Sequence, residues 1–177
     1  MTFRVTLALL LLLMPFSAVA ERLELVPPST KVEIRFYGLG FVPLDGVFTH
    51  FQGWLEHDPG RPGVCQVRLS IEAHSLSMSN GMIRDQVVGP EYLHADQFPL
   101  LIYVGGCEGA GLSGTLEMRG VRASLTFVLE LMEGRVTATG RLQRANWGMT
   151  GGVMGGQTVR IRVTIPRGNV ALRQASR

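Results

Sequence analysis

No stretch of this 177-residue chain stays apolar for the roughly 20 residues that a membrane-spanning helix requires; the longest such run, Val5 to Met14, is about half that. Charge is scarce at 18%, and the arginines are scattered between acids. Binding to a nucleic acid duplex needs a clustered basic face, so nucleic acid is not an expected partner. The four histidines, His50, His57, His74 and His94, show no metal-ligand spacing such as H-E-x-x-H. No G-x-S-x-G occurs to carry a nucleophile, and the glycine-rich stretch Gly148 to Gly156 lacks the Gly-Lys-Ser/Thr ending of a phosphate loop. It reads as a loop before the last strand. What is missing therefore points to a binding protein without metal or cofactor, not to an enzyme.

What is present begins with a leader. Arg4 precedes the apolar run, and Ser17-Ala18-Val19-Ala20 supplies the A-x-A pair read by signal peptidase. Residues 1–20 are thus expected to be a signal peptide, and residues 21–177 a single soluble domain in the periplasm or outside the cell. Without Arg4 the basic residues number 16 against 14 acidic, a charge near +2. Only Arg160, Arg162, Arg167, Arg173 and Arg177 are one-sided, which reads as a solvated strand face and tail or as a transient contact with an anionic membrane surface.

Beyond Glu21 no long helical period survives, while segment after segment alternates at period two. Val32, Ile34 and Phe36 share a face, then Phe51, Gly53 and Leu55; Val67, Leu69, Ile71 and Ala73; Leu101 and Tyr103; Leu112, Gly114, Leu116 and Met118; Ala123 to Leu131; Val136 to Leu142; and Val159 to Ile165. That is eight strands. Residues 77–98 break the pattern and contain Pro90, with a short helix expected around Met82 to Val88. Glycine, 22 residues and about twice the usual share after the leader, suits the corners of a closed barrel. The expected fold is all-β, an eight-stranded up-and-down antiparallel barrel with a helical crossover; a two-sheet sandwich is the alternative.

An oxidising compartment allows Cys65 and Cys107 to pair, and two buried free thiols are the other reading. Antiparallel pairing of the two cysteines also sets Leu69 opposite Tyr103 and Ile71 opposite Leu101, all on apolar faces. Closure of a loop of some 40 residues would contribute roughly 4 kcal/mol.

Three segments in order carry a family resemblance. Gly46-Val47-Phe48 with Phe51-Gln52-Gly53 and Asp58-Pro59 looks like a G-x-F-x-x-F-x-G opening. Gly114 to Val121 followed by Leu125-Thr126-Phe127 resembles a G-x-L-x-x-x-G-V hairpin, and Arg144-Ala145-Asn146-Trp147-Gly148-Met149 is similar to R-S-D-F-G-L. Glu91-Tyr92-Leu93-His94 and Phe98-Pro99 with Tyr103 match further positions. Together these resemble the YceI-like, or polyisoprenoid-binding, family. The chain departs from the pattern at Asn146, Trp147 and Arg122-Ala123-Ser124. The resemblance implies a lipocalin-like barrel whose hydrophobic pore holds an isoprenoid lipid, such as a polyprenyl quinone or polyprenyl phosphate.

The interior face expected to hold such a ligand is Phe36, Phe51, Leu69, Leu101, Tyr103, Leu116, Phe127, Leu142 and Ile161, with Trp147 beside it. Arg84, with Asp85 beside it on the crossover, and Arg144 are the candidates for its polar head; a structural ion pair or surface charge is the other reading of both. Gly53, Ala73, Gly114, Ala123, Ala138 and Gly140 are small and inward, which leaves room; tryptophan at Gly114 or Ala138 is expected to block uptake while leaving folding tolerable. A filled barrel acting through its loops as an interaction or inhibitor module is the competing reading, and an enzyme acting on a bound quinone a distant third. Tyr37 and Trp54 are expected on the outside, and the protein is either a monomer or a homodimer.

Overall fold

The computed structural model describes residues 21–38, 41–58, 61, 63–132, 134–149 and 156–166. The expected leader, most of the glycine-rich loop, Pro59, Gly60 and Pro62 between the second and third expected strands, and Arg167, Arg173 and Arg177 lie outside them.

Period-two alternation becomes strand wherever it occurs, because successive side chains of an extended chain point to opposite faces. The strands are β1 (Glu21–Glu24), β2 (Lys31–Gly38), β3 (Val42–Phe48), β4 (Phe51–His57), β5 (Cys65–Glu72), β6 (Leu76–Met78), β7 (Leu100–Glu108), β8 (Gly111–Met118), β9 (Val121–Met132), β10 (Arg135–Gln143) and β11 (Thr158–Pro166). In β5, Cys65, Val67, Leu69 and Ile71 are buried while Gln66, Arg68 and Glu72 are exposed. In β10, Val136, Ala138, Gly140 and Leu142 are buried in the same way.

All eleven strands form one antiparallel sheet in the order β1-β4-β5-β7-β8-β9-β10-β11-β2-β3-β6. This corrects two expectations. Among the described residues there are eleven strands, not eight, because β1 is mostly charged, β6 has three residues, and β3 carries Pro43, Asp45 and Gly46, which hide its alternation. Nor is up-and-down order complete: β4, β5 and β7 to β11 follow in chain order and β11 meets β2 as a closed barrel requires, but among the described residues β2 pairs with β3, and β3 with β6, where β2 was expected to meet β4. The sheet curls without a ladder joining β1 to β6 among the described residues. Beyond their ends the β3–β6 and β4–β5 ladders are continued by backbone bonds from Thr49 N to Ser75 O (3.1 Å) and from Glu72 N to His50 O (3.1 Å).

Helix α1 (Gly81–Val88) crosses at one end of the curl. The Asn80 side chain accepts from Ile83 N at 3.1 Å and so caps its first turn, while Gly89 followed by Pro90 stops it. Residues 89–99 then fold back through bonds such as Leu93 N to Val87 O and Ala95 N to Val88 O, and Ala73 N donates to Pro99 O at 2.8 Å. The two-residue turn between β8 and β9 grips this segment. Arg119 and Gly120 both have positive φ, 55° and 72°, as a tight hairpin turn needs. The Arg119 guanidinium donates to the carbonyl oxygens of Pro90 and Tyr92, and Phe98 packs over Gly120.

Cys65 and Cys107 form a disulfide across β5 and β7, with Cα atoms 4.9 Å apart. Leu69 stands opposite Tyr103 and Ile71 opposite Leu101, the register that the cysteine pair requires.

Candidate functional site

The inward side chains do not meet at the centre of the curl. They surround a cavity of about 130 Å³ lined from nine strands, β2 to β5 and β7 to β11, and covered where β7 begins by Val87 of α1 with Tyr92 and Leu93. An engineered apolar cavity of about 150 Å³ stays dry and accepts benzene, so this space suits an apolar guest better than water.

Tyr103 shapes the cavity. Its hydroxyl donates to Leu125 O at 3.1 Å and its ring meets Phe127 edge-on at 5.2 Å. Close approach of that phenol requires glycine at two neighbours: a Cβ on Gly105 or Gly114 would lie 2.8 or 2.6 Å from the hydroxyl. The Phe127 ring similarly covers Gly140, and Leu69 covers Gly53. These glycines therefore seat interior side chains and leave no space of their own. Of the six small residues expected to make room, Ala138 lines the cavity. Tryptophan at Gly114 would also break the fold, since even a Cβ there would lie 2.4 Å from Val104 O.

Burial raises the Tyr103 phenol from its ordinary 10 to about 12. A folded-state value above the unfolded one favours the neutral phenol in the native protein. The resulting stability is complete below pH 10 and is lost as pH rises through 12, a loss of about 3 kcal/mol. Tyr103→Phe is expected to abolish this component of alkaline destabilisation, which denaturant titrations from pH 9 upward would measure; an unchanged pH profile would place the titrating group elsewhere.

The polar feature of the cavity comes from the Arg144-to-Met149 signature. Arg144–Trp147 is a 3-10 turn whose chain direction is set by Arg144 N donating to Gln157 O at 2.9 Å and ended by Gly148 at φ 71°. Trp147, 1% exposed, donates from Nε1 to Leu116 O at 3.0 Å and pins the turn to β8. Arg144 consequently points inward at 4% exposure and lines the cavity. Its guanidinium carbon lies 5.1 Å from the Tyr92 ring centroid. Arg144 Nε and Nη1 and the Tyr92 hydroxyl are buried without a hydrogen-bond partner among the described residues. A guanidinium cannot shed its proton, so these donors present an unmet demand for an acceptor oxygen.

Among the residues singled out from sequence, Phe36, Leu69, Leu101, Tyr103, Leu116, Phe127, Leu142, Ile161 and Arg144 line this cavity. Three others sit elsewhere. Phe51 is buried in the core outside the lining, and Trp147 is engaged with the β8 backbone. Arg84 donates to His74 O at 2.6 Å and Leu76 O at 3.1 Å and pairs with Asp85 at 2.9 Å, so it ties α1 to the edge strand β6. Tyr92 is the residue that sequence reasoning passed over; it figured only as a match to a motif position, and its approach to Arg144 depends on the fold-back after α1. Tyr37 is exposed as expected, whereas Trp54 is partly covered, with Arg22 4.9 Å above its ring.

A comparison with protein-family models matches residues 23–166 to the YceI-like domain. The chain belongs to the YceI-like family. No curated protein matches it. Among solved structures the YceI-like chain is similar to Burkholderia cenocepacia BcnA, at 19% identity and a TM-score of 0.63 over 76% of this chain and 94% of that one. It also resembles a structure described as a polyisoprenoid binding domain from Saccharophagus degradans implicated in plant cell wall breakdown: 12% identity, TM-score 0.58, 82% of this chain and 97% of that one. The Campylobacter jejuni YceI protein matches at 13% identity and TM-score 0.55, over 68% and 81% of the two chains. At these identities the likeness shows that the YceI-like fold is shared.

Proposed function

We propose that this YceI-like protein is an exported carrier that holds an amphiphilic isoprenoid lipid, of the polyprenyl quinone or polyprenyl phosphate class, for sequestration or transport. The observation that carries the reading is a buried, unpartnered Arg144 facing an otherwise apolar cavity. A wholly apolar guest would leave its donors unmet; a quinone carbonyl or a phosphate oxygen would satisfy them. The description of the Saccharophagus relative as polyisoprenoid-binding supports the same chemistry. The unfilled interior counts against a barrel that works only through its loops.

Affinity would come from the tail. Each isoprene unit brings five carbons, at about 0.8 kcal/mol per buried CH₂, so affinity grows with the number of units the interior takes in. The reading needs no cofactor and no catalytic group. Export is supported by the disulfide, which belongs to an oxidising compartment, and by the leader-like order of residues 1–20. Among the described residues no helix is long and apolar enough to cross a membrane.

Arg144→Met tests the role of the cation. Loss of a charged hydrogen bond to the ligand should weaken polyprenyl binding about tenfold, while removal of an unpaired buried charge should stabilise the ligand-free protein by about 1 kcal/mol. Titration and denaturant melts read the two effects. Unchanged affinity, or a less stable ligand-free protein, would make Arg144 a structural residue.

A further inference from the structure

The outer face of the curl carries a second feature that the cavity does not use. Across β10, β11, β2 and β3 the register places Arg141, Arg160, Arg35 and Asp45 side by side. Like charges directly opposite one another destabilise a sheet. Asp45 neutralises Arg35, bonding it at 2.6 and 2.9 Å, and its carboxyl is held low by that bond and further by the field of Arg162. Arg141 and Arg160 have no ion pair among the described residues. In the next row back, Arg162 stands opposite Glu33. An arginine pair without an ion pair among the described residues, Arg141 exposed and Arg160 half-buried, thus lies on this wall.

An apolar edge lies just beyond that row. Tyr37 follows Arg35 on the same face of β2, about 7 Å along the strand. Where the chain passes from β2 to β3, Phe41 is 74% exposed and Val42 40%. This edge is also the polar end of the cavity, because Gly156 N donates to Tyr37 O and Arg144 N to the adjacent Gln157 O.

We propose that this edge docks the protein on an anionic phospholipid surface, with Phe41, Val42 and Tyr37 entering the interfacial region and Arg141 and Arg160 meeting lipid phosphates. Aromatic and apolar side chains backed by cations at this spacing match the depth profile of a bilayer interface. Docking there turns the Arg144 end of the cavity toward the bilayer. That consequence rests on the carrier reading, whereas surface contact itself does not.

The test is cosedimentation of the protein with vesicles of phosphatidylcholine and phosphatidylglycerol, against phosphatidylcholine alone. The wild-type protein should favour the anionic vesicles and lose affinity as salt is raised. Arg141→Gln combined with Arg160→Gln should lower that affinity about 30-fold, and Phe41→Ser about tenfold, both variants keeping wild-type melting temperatures. The arginine variant should retain any lipid carried on purification, since neither residue lines the cavity. No preference for anionic vesicles, or variants that bind as the wild type does, would overturn the proposal. So would a dimer abolished by Phe41→Ser in a protein that ignores vesicles, which would assign the edge to a second copy. Anionic-vesicle binding with the expected variant losses, in a protein that never carries lipid, would support docking and defeat the carrier reading alone.

Discussion

Ala138→Trp is expected to eliminate lipid retention, lowering affinity more than 100-fold, while the protein still folds. Ala138 sits on β10 between Leu129 of β9 and Val163 of β11, is 6% exposed, and lines the cavity. An indole is larger than benzene, itself the guest of an engineered cavity of about 150 Å³, so it would occupy most of the 130 Å³ available here. Because the new side chain enters free space, the cost to stability should stay near 1 kcal/mol, at the low end for insertions into a packed core. Val128→Trp supplies the control: Val128 is on β9 but 60% exposed on the outer face, and should leave retention unchanged. Lipid extraction and thermal melts of both variants decide the matter. Wild-type retention by Ala138→Trp would place the ligand outside this cavity.

Removal of the disulfide is expected to cost about 4 kcal/mol. Cys65 and Cys107 are separated by 42 positions, and the chain-entropy estimate for a loop of that length gives this figure. Total stability of domains this size is about 5–15 kcal/mol, so the loss is a large share of it. Cys65→Ala with Cys107→Ala should therefore melt roughly 10 °C lower than the oxidised protein. The wild type in dithiothreitol should fall by a similar amount, which separates the missing cross-link from the small change in packing. Equal melting temperatures for oxidised and reduced protein would mean that residues 65–107 are already constrained in the unfolded chain. A reduced protein this weakened would also fare poorly in a reducing compartment, in keeping with export.

The strands whose alternation is intact were legible because burial on one face writes a period of two directly into the residues. The cysteine pair went further and fixed the β5–β7 register, down to Leu69 against Tyr103. β3 was illegible for a local reason: Pro43, Asp45 and Gly46 interrupt its apolar period, and Gly46 is needed because Leu76, Ile34 and Met78 crowd its Cα. The pairing of β2 with β11 is the one a closed barrel requires; that of β3 with β6 was illegible for a different reason, since a three-residue strand pairs through backbone groups that carry no residue-specific mark.

The same division holds for the site. Inward positions such as Phe36, Leu116 and Ile161 follow from alternation alone. Arg144 stood out in its motif, but its burial could not be read there, because it depends on Trp147 anchoring the turn to Leu116 O. Arg84 looked equivalent in sequence; the α1 crossover spends its guanidinium on the carbonyls of His74 and Leu76 instead. Small residues misled most. Gly114 and Gly140 are small because Tyr103 and Phe127 lie across them, and free space remains only where no ring fills it.

Native mass spectrometry of the purified protein, against its denatured mass, tests the central claim most directly. The carrier reading predicts an adduct that is released on denaturation and whose fragments step by isoprene units, with Ala138→Trp lacking it. A clean apo mass that stays apo after incubation with polyprenyl quinones and polyprenyl phosphates would contradict it.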